Sequence, residues 1–417
     1  MINLDCLDSD QRLAVERCLD IKRRIVPVTG QAGSGKTSIM KIVFDKYIHA
    51  GYRVVMCAPT GKAAKRIHEA TGIPAMTIHR LLEYPHPGER DEKGKPLSTT
   101  VPKRDRNNPL EYNVVLADEY AMVNTEVHRN LIDALPRAGV LRAFGDINQL
   151  PPIEPGNREM PSPFSQMLKN FDGVVLGTIH RQGEGSGIVS NGNLILKGQM
   201  PKRLSDFTFT ITDDPVTSLR EHVLSCDKDF GKMDAQIISP TNKGRVGVIE
   251  LNNTMQRLYK PENVQRGLLL PRHKWDVKKA YRIGVGDKVI WTQNNYDLEI
   301  FNGETGVVVE ITDLDEIAID FGDRVETVPP EVNTVKRDGT LGTYDPRKDL
   351  DLAYVVTTHK SQGSEYQDVI YVLNRSSVYI QNRQNFYTAI TRARKSAHLI
   401  TDKFSLGYSV QHKRMVI

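Results

Sequence analysis

Gly30-Gln31-Ala32-Gly33-Ser34-Gly35-Lys36-Thr37 is the stretch of sequence from which the fold is best predicted. It follows a short apolar run, 24–29, and precedes 38–44, where apolar residues recur at helical spacing. Because glycines accept positive φ, the backbone N–H groups of such a turn can point inward at the start of a helix and bind phosphate oxygens. The order of strand, glycine-rich turn and helix therefore predicts a nucleoside triphosphate site. The residues predicted to hold the nucleotide are Gly30, Gly33, Ser34, Gly35, Lys36 and Thr37.

Two side chains of this stretch have separate predicted roles. Lys36 is placed to reach the β- and γ-phosphates, and the Thr37 hydroxyl is placed to hold Mg²⁺. The alternative is a chance glycine-rich turn, but the strand before it and the helix after it are the context that phosphate binding requires. We therefore expect a nucleoside triphosphate and Mg²⁺ as cofactors.

The length and composition predict a soluble protein of several domains. The chain has 417 residues, of which 39% are hydrophobic and 26% charged, so it is too long for one ordinary core. It contains no apolar run of about 18 residues, the length needed to span a bilayer. Residues 1–7 include Asp5 and lack the apolar segment of a secretory signal. We expect a cytoplasmic location and no membrane partner.

The net charge and the cysteines indicate less about the function than the motifs do. A formal net charge of +5 and an isoelectric point near 8.8 allow a polyanionic partner without requiring one. The four cysteines show neither C-x-x-C spacing nor neighbouring histidine pairs, which argues against a zinc or iron–sulfur site and for reduced thiols. They are Cys6, Cys18, Cys57 and Cys226.

Apolar runs alternate with helical patterns along the first part of the chain. This alternation predicts a parallel sheet with helices on both faces, in which ligands collect at the carboxyl ends of the strands. Besides the run at 24–29, the predicted strands are 53–60, 112–119, 140–146 and 174–179.

A pair of carboxylates, Asp118 and Glu119, ends one of these runs. An isolated acidic pair is often only a polar turn. Downstream of a phosphate-binding turn and directly after the apolar run 114–117, it favours catalysis instead. We predict that Asp118 binds Mg²⁺ through water and that Glu119 orients or deprotonates the attacking water.

Two segments interrupt the alternation. Residues 83–108 are polar and rich in proline and basic residues, and are too long for an ordinary loop, which predicts an inserted hairpin or small subdomain. Residues 272–343 contain short β-branched strands between glycine, asparagine and aspartate turns, which predicts a small antiparallel β-barrel. A second α/β domain surrounds this barrel. Its predicted strands are 235–240, 352–357, 368–373 and 397–400.

A series of short stretches, in this order, resembles superfamily 1 helicases, and specifically the RecD/Dda-like branch of superfamily 1B. Apart from the glycine-rich turn and the acidic pair, the stretches are 7–11, Ala58-Pro59-Thr60-Gly61-Lys62-Ala63-Ala64, Thr77-Ile78-His79-Arg80-Leu81-Leu82, Gly145-Asp146-Ile147-Asn148-Gln149-Leu150-Pro151-Pro152, His180-Arg181-Gln182, Ser239-Pro240-Thr241-Asn242-Lys243-Gly244, Thr358-His359-Lys360-Ser361-Gln362-Gly363-Ser364-Glu365 and Tyr387-Thr388-Ala389-Ile390-Thr391-Arg392-Ala393-Arg394. The resemblance covers essentially the whole chain.

The resemblance implies two RecA-like α/β domains with parallel sheets and ATP bound between them. The implied bounds are 1–82 with 109–181 for the first domain, 83–108 for an inserted β-hairpin pin, 182–271 with 344–417 for the second domain, and 272–343 for an SH3-like β-barrel. Gln149 resembles the γ-phosphate sensor, Arg181 and Arg392 resemble arginine fingers, and Glu365 resembles the ribose contact. Gln11 is placed to contact the adenine edge; taken alone, it is more typical of an exposed surface residue.

The same resemblance implies contacts to single-stranded DNA from both domains. Hydroxyl and amide groups at strand ends suit phosphate contacts, although each alone is equally typical of a turn cap. The implied residues are Thr60, His79, Thr241, Asn242, Thr357 and His359. The resemblance further implies 5′-to-3′ movement, a strand-separating role for the pin at the junction of single- and double-stranded DNA, and activity as a monomer.

The function that best fits these features is that of an ATP- and Mg²⁺-dependent 5′-to-3′ DNA helicase, a minimal motor like the small phage-type relatives. A translocase or an RNA-directed helicase with the same ATPase site remains an alternative, as does a non-unwinding subunit of a recombination or repair complex. The sequence does not distinguish replication, repair and recombination. Tyr120 departs from the family pattern, because a small residue is commoner after the acidic pair.

Overall fold

The computed structural model describes residues 7–85, 98, 100–152, 154, 161–178, 186–271, 281–295, 298–335 and 341–413. Residues up to 178 belong to one compact unit and those from Ser186 onward to a second. Each unit is described by itself below.

The first unit is built on a six-stranded sheet in the order β3-β2-β4-β5-β1-β6. All neighbouring strands are parallel, so their carboxyl ends share one edge of the sheet. The strands are β1 (Ile25–Gly30), β2 (Val54–Ala58), β3 (Ala75–Thr77), β4 (Val114–Ala117), β5 (Val140–Gly145) and β6 (Val174–Leu176). The predicted parallel sheet is confirmed, and β3 is an edge strand that the sequence analysis did not identify.

Helices cover both faces of this sheet. They are α1 (Ser9–Leu19), α2 (Lys36–His49), α3 (Gly61–Thr71), α4 (Ile78–Leu81), α5 (Thr125–Ala134) and α6 (Pro163–Asn170). Successive residues of a strand point to opposite faces, so Met56 packs in one apolar core and its neighbour Val55 in another. Burial on both faces explains why the strands read as continuous apolar runs.

The second unit contains a five-stranded parallel sheet, a five-stranded antiparallel sheet and two antiparallel pairs of strands. Its strands are β7 (Phe207–Ile211), β8 (Ala235–Ser239), β9 (Leu268–Leu269), β10 (Arg282–Ile283), β11 (Lys288–Trp291), β12 (Thr305–Ile311), β13 (Ile317–Asp320), β14 (Val325–Val328), β15 (Val332–Val335), β16 (Leu341–Tyr344), β17 (Leu350–Leu352), β18 (Val355–Thr357), β19 (Tyr366–Val372) and β20 (Ala393–Thr401). Its helices are α7 (Gly187–Leu196), α8 (Pro215–Ser225), α9 (Val248–Tyr259), α10 (Pro261–Arg266), α11 (Thr358–Ser361), α12 (Arg383–Ile390) and α13 (Lys403–Gln411).

The parallel sheet of this unit has the order β18-β8-β19-β20-β7. Its edge strand β7 was not identified from the sequence. The antiparallel sheet has the order β14-β13-β12-β11-β17. It occupies the region of the predicted barrel and extends past residue 343, because β17 pairs with β11. The two sheets share one apolar core that contains Ile237, Val289 and Ile370.

The other inserted segment, predicted as a pin at 83–108, is described only in part. Residues 86–97 and 99 lie outside the described residues, and 100–108 form turns and bends. Within this segment, the Arg104 guanidinium forms an ion pair at 2.7 Å with Glu83, the first residue of the segment. The hairpin itself therefore stays a prediction, as does the SH3-like character of the barrel.

Two general expectations concern membranes and thiols. Over the described ranges, no helix combines the length and apolar character needed to cross a bilayer. Cys18 and Cys57 are buried free thiols and Cys226 is a half-buried one, while Cys6 lies outside the described residues. Burial raises the pKa of the Cys18 thiol to about 12, so this cysteine is unreactive at neutral pH.

Candidate nucleotide and nucleic-acid sites

The residues predicted to bind nucleotide and Mg²⁺ in the first unit follow three neighbouring strands at their carboxyl ends. The glycine-rich turn follows β1, Asp118 and Glu119 follow β4, and the 146–149 turn follows β5. Parallel strands bring these turns to one edge, which is where α/β sheets bind ligands. The sheet order β4-β5-β1 therefore places the acidic pair and the glycine-rich turn two strands apart.

The backbone of the glycine-rich turn depends on glycine at specific positions. Gly33 and Gly35 both have φ of 84°, a left-handed conformation that side chains disfavour. At Gly30 the limit is space, because a Cβ atom would lie 2.3 Å from the Ser34 hydroxyl oxygen. The turn thus has the closely folded backbone that phosphate binding by N–H groups requires.

Helix α2 differs from the other helices of the first unit at its N-terminus. Gly35 precedes it and supplies no side-chain cap. The other five α-helices described in this unit are each capped by a side-chain oxygen. The capping residues are Asp8, Thr60, Thr77, Asn124 and Ser162. An uncapped N-terminus leaves N–H donors and the positive end of the helix dipole for an anion.

Lys36 folds back over the glycine-rich turn. Its ammonium donates to the carbonyl oxygens of Gly30 at 2.6 Å and Gln31 at 3.0 Å. These bonds hold a positive charge above the start of α2. The charge of this ammonium also lowers the pKa of Asp118, so the lysine and the predicted magnesium ligand interact electrostatically.

Gln11 is buried rather than exposed, so the surface alternative weighed for it is wrong. Its amide nitrogen donates to the Ser34 carbonyl at 3.1 Å, and its amide oxygen accepts the Asp8 N–H at 3.2 Å in a capping box. Gln11 therefore connects the cap of α1 to the glycine-rich turn. Its predicted contact with adenine stays a prediction.

The acidic pair has a specific local geometry. Glu119 has φ of 49°, which is rare for a residue with a side chain and concentrates at functional sites. Its N–H donates to Asp118 Oδ1 at 2.8 Å. Burial, and then the charge of Glu119, raise the pKa of Asp118 to about 6, against the lowering effect of Lys36 and Arg66. A divalent cation would relieve this concentration of negative charge.

Tyr120, which departs from the family pattern, follows the acidic pair directly, and its side chain lies in an apolar core of the first unit. Its ring is fully buried, and its hydroxyl bonds His128 Nδ1 on α5 at 2.9 Å. The ring also packs against Phe164 at a centroid distance of 6.1 Å. A large residue is therefore accommodated here, because α5 supplies a polar partner for its hydroxyl.

The turn after β5 is hydrogen-bonded to the end of β1 at the sheet edge that carries the predicted nucleotide residues, which we call the nucleotide edge. The Thr29 hydroxyl, near the end of β1, accepts the Ile147 N–H at 3.1 Å. Gln149 lies two residues further on and is buried, and its N–H donates to the Asp146 carbonyl at 3.2 Å. The predicted γ-phosphate sensor thus lies in a turn whose position is set by the strand that precedes the phosphate-binding turn.

Three polar atoms at this edge are buried without a hydrogen-bond partner: Ser34 Oγ, Glu119 Oε2 and Gln149 Oε1. They are the complete set of such side-chain atoms over the described residues of the first unit. A buried polar atom without a partner costs about 1–3 kcal/mol, so such atoms usually mark a ligand or water site. One belongs to the glycine-rich turn, one to the acidic pair and one to the 146–149 turn. This donor and acceptor set fits a triphosphate with Mg²⁺.

The remaining residues predicted to contact the nucleotide lie in the second unit or outside the described residues. Arg181 lies outside the described residues. In the second unit, Arg392 is almost fully buried and donates to the carbonyl oxygens of Thr388 at 3.1 Å and Ser364 at 3.2 Å. Glu365 forms an ion pair with Arg394 at 2.7 Å. The structure thus brings Arg392 and Glu365 into one neighbourhood, and their roles toward ATP stay predictions.

The residues predicted to contact DNA in the first unit lie on neighbouring strand ends. Thr60 follows β2 and caps α3 by accepting the Ala63 N–H at 3.2 Å. β3 pairs with β2 so that Thr77 lies beside Ala58, and Thr77 caps α4 in the same way at 3.1 Å. His79 follows in α4, half-buried against the Tyr84 ring. Burial lowers its pKa, so it is neutral at pH 7.

The second unit repeats this arrangement. Thr241 follows β8 as Thr60 follows β2, each directly after a proline. Thr357 at the end of β18 lies beside Ser239 of β8 and caps α11, accepting the Lys360 N–H at 3.1 Å. His359 then stands two residues after the cap, as in the first unit. The short repeats Pro-Thr-x-Lys and Thr-x-His mark this duplication in the sequence and also identify Thr77, which sequence reasoning missed.

Tyr379 is a second residue that sequence reasoning missed. Its side chain is 71% exposed, yet its hydroxyl bonds the Thr241 hydroxyl at 2.6 Å. Asn242 and Lys243, next in sequence to Thr241, are also exposed. The pattern around Tyr379 carries no motif, because its position depends on the short 3₁₀ helix Arg375–Ile380 that follows β19.

Comparisons with known proteins agree with this geometry. A family model described as an AAA domain matches residues 6–209, and one described as a UvrD-like helicase C-terminal domain matches residues 352–400. The ATP-dependent RecD2 DNA helicase of Deinococcus radiodurans is 30% identical over 377 residues, which are 89% of this chain and 46% of RecD2. The RecD subunit of the Mycobacterium tuberculosis RecBCD enzyme is 26% identical over an alignment of 457 positions, which covers 97% of this chain and 71% of that subunit.

A solved structure shares the architecture. The Pif1 helicase from Bacteroides, in complex with ADP-AlF3 and ssDNA, matches with a TM-score of 0.57 and 19% identity, over 95% of this chain and 92% of that one. At this identity the likeness concerns the fold, and it confirms the predicted α/β fold with a RecA-like parallel-sheet core. The chain spans less than half the length of RecD2.

Proposed function

We propose that this chain is a RecD-like helicase of superfamily 1B, an ATP- and Mg²⁺-dependent DNA helicase that moves 5′ to 3′ on single-stranded DNA. One observation carries the nucleotide part of this proposal. Among the described residues of the first unit, the three partnerless buried polar side-chain atoms all belong to residues predicted to surround the triphosphate.

Each residue of the nucleotide edge has a task in ATP hydrolysis. When bound, MgATP supplies the free energy of phosphoryl transfer to water. The N–H groups at the start of α2 and the Lys36 ammonium bind its phosphates, while Thr37 and Asp118 hold Mg²⁺. Glu119 accepts the proton of the attacking water or orients it, with its partnerless Oε2 as the free acceptor. Gln149 responds to the γ-phosphate.

The strand-end threonines support the DNA part of the proposal. A capping hydroxyl accepts one N–H with its oxygen and keeps its own proton, which it can donate to a phosphate oxygen. Thr60 and Thr77 in the first unit and Thr357 in the second are all caps of this kind. Their alternative role as caps is therefore compatible with DNA binding. Two equivalent sets, one on each unit, suit a protein that alternately grips a strand with each half.

Coupling to movement requires groups that respond to the bound nucleotide. By resemblance, we assign this role to Arg181 and Arg392 as arginine fingers, with Glu365 as the ribose contact. An arginine finger contributes about 10³–10⁵ in rate, so hydrolysis depends on its engagement. Closure around ATP and release after hydrolysis then advance the two sets of strand contacts in turn.

Unwinding assays with tails of each polarity test the proposal. We expect the full chain to displace a strand from a 5′-tailed duplex with ATP and Mg²⁺, and to leave a 3′-tailed duplex intact. We expect single-stranded DNA to stimulate ATP hydrolysis well above single-stranded RNA. Displacement only on the 3′-tailed duplex would contradict the polarity, and equal stimulation by RNA would contradict the DNA assignment. DNA-stimulated hydrolysis without any displacement would favour a non-unwinding translocase or subunit.

Tyr379 provides a sharper prediction for the DNA contacts. Its anchored hydroxyl and exposed ring form a rigid platform on which a base can stack, an interaction worth about 1–3 kcal/mol. Tyr379→Ala should therefore weaken binding of an oligothymidine roughly 5- to 100-fold in a nucleotide-free anisotropy titration. Tyr379→Phe keeps the ring and should lose much less.

Two comparisons distinguish the loss of base stacking at Tyr379 from other causes of weaker DNA binding. An abasic oligonucleotide of equal length should bind Tyr379→Ala and the unaltered protein equally, because it offers no base. Phe171→Ala removes another exposed ring and should leave both affinities unchanged. An equal loss of affinity for the abasic strand would show that Tyr379 positions Thr241 rather than stacking on a base.

A further inference from the structure

A basic groove lies on the first unit, away from the nucleotide edge. Its volume is about 740 Å³. Arg24, which directly precedes β1, and Arg137, which precedes β5, both line it. These residues stand at the amino ends of their strands, whereas the nucleotide residues stand at the carboxyl ends. The groove therefore opens at the opposite edge of the sheet.

The rest of the groove wall comes from α5 and the two residues that follow it, and from the end of the inserted segment 83–108 with the residue after it. Helix α5 contributes Arg129 and Asp133, and the inserted segment contributes Arg106. Ile132, Leu135, Pro109 and Pro136 supply apolar surface between these charges. The groove is thus lined by basic side chains with apolar surface between them, beside the end of the segment predicted to separate strands.

The positive charge of the groove is largely uncompensated. Arg106 bonds Asp133 at 2.7 Å, which neutralises the one carboxylate in the lining. Arg24, Arg129 and Arg137 are exposed, and none has an ion pair with any carboxylate over the described ranges. His128, also in the lining, is neutral at pH 7 because burial lowers its pKa. Three like charges that converge on one concave surface repel one another and attract an anion.

The chemistry of the lining indicates what kind of anion. Guanidinium groups present planar pairs of N–H donors that match phosphate oxygens, and three of them spread along a groove suit several phosphates in a row. Apolar surface between them suits deoxyribose. A single small anion would leave most of the volume unfilled.

We propose that this groove binds the phosphodiester backbone of nucleic acid other than the single strand held by the strand-end residues. The groove lies at the edge of the first unit's sheet opposite the predicted nucleotide residues. The bound nucleic acid is either the duplex arm or the displaced single strand, which present the same phosphate chemistry. The proposal rests on the proposed helicase function. It adds a second contact surface, formed by Arg24, Arg129 and Arg137, to the strand-end residues.

The test compares a groove variant with a charge-matched control in the full chain. The groove variant is Arg24→Ala, Arg129→Ala and Arg137→Ala together. The control replaces Lys22, Lys46 and Lys169 with alanine, which removes the same charge from exposed positions outside the groove. A third variant, with lysine at the three groove positions, retains the charge. Dissociation constants are measured across a salt series for a short single strand, a 5′-tailed duplex and a fork with two tails.

We expect the groove variant to bind the short single strand like the unaltered protein but to bind the fork roughly tenfold more weakly. Its slope of log affinity against log salt should fall by about 2–3, because each phosphate contact contributes about 0.9. The lysine variant should recover most of the affinity, and the control should change neither value. A loss on both duplex substrates identifies the duplex arm as the occupant, and a loss on the two-tailed fork alone identifies the displaced strand.

Other outcomes overturn the inference in distinguishable ways. Equal fork binding by the groove variant and the control means that the groove takes no nucleic acid. If that variant instead loses binding of an oligoglutamate peptide, the groove is a site for acidic peptides. If the unaltered protein binds none of the DNA substrates, the proposed helicase function fails, and this inference fails with it.

Discussion

Lys36→Ala is expected to reduce ATP hydrolysis roughly 10³-fold, which is background in most assays. The lysine is the one cation that the glycine-rich turn itself holds above the start of α2, through its bonds to Gly30 and Gln31. Backbone N–H groups remain in the variant, but they carry only partial charge and do not balance the charge that develops during phosphoryl transfer. DNA-stimulated phosphate release measured at saturating ATP checks this expectation.

The control for this variant is Lys46→Ala, an exposed lysine in the last turn of the same helix. It removes the same charge from α2 and should leave hydrolysis within twofold of the unaltered protein. Thermal unfolding without nucleotide should be similar for both variants, because the Lys36 ammonium donates its hydrogen bonds to carbonyl oxygens of the turn. If Lys36→Ala retained a tenth or more of the activity while folded, the glycine-rich turn would not be the site of hydrolysis.

The glycine-rich turn is predictable from sequence because its geometry is local. Positive φ at Gly33 and Gly35 and the helix that follows are properties of adjacent residues. The helix before the turn is also predictable from its spacing, but the burial of Gln11 is not. Its amide is buried because it bonds Ser34, 23 residues further along the chain, and only the folded sheet brings them together.

The two strands that the sequence analysis missed, β3 and β7, differ in how clearly the sequence predicts them. The edge strand β7 reads Phe-Thr-Phe-Thr-Ile, and such alternation of apolar and hydroxyl residues predicts a half-buried strand. Its hydroxyls accommodate a half-buried histidine, because Thr208 bonds His398 of β20 at 2.7 Å. β3 is only three residues long, and the pattern within so short a stretch predicts no element.

The basic groove shows where sequence reasoning ends. Arg24 lies more than 100 residues before Arg129 and Arg137 in the sequence, and each of the three alone is typical of a solvated surface. They line one groove because β1 and β5 are neighbours in the sheet although more than 100 residues separate them in the chain. A pattern that depends on strand order is visible only after the topology is known.

Glu119→Gln is the second change with a large expected effect, and it separates chemistry from binding. The substitution keeps the size and shape of the side chain but removes its basicity. If Glu119 is the base or orienting group, turnover should fall roughly 10²- to 10⁴-fold. ATP hydrolysis in a single turnover, with calorimetric binding of nucleotide and Mg²⁺ in parallel, measures both properties.

Nucleotide binding should survive this substitution for an electrostatic reason. Burial raises the pKa of Asp118 most, and the charge of Glu119 raises it further. Removing that charge lowers the pKa of Asp118, so its carboxylate stays ionised over a wider pH range and remains available to Mg²⁺. Affinity for MgATP should therefore be unchanged or higher, most clearly near pH 6, where the aspartate of the unaltered protein is partly protonated.

Glu16→Gln is the matched control for Glu119→Gln, since Glu16 is an exposed carboxylate on α1. It should alter neither turnover nor binding. A parallel loss of turnover and MgATP affinity in Glu119→Gln would make Glu119 a ligand of the metal rather than the group that acts on water. Unchanged turnover would mean that the rare backbone conformation and the partnerless Oε2 of Glu119 serve another purpose, and that the attacking water is activated by a different residue.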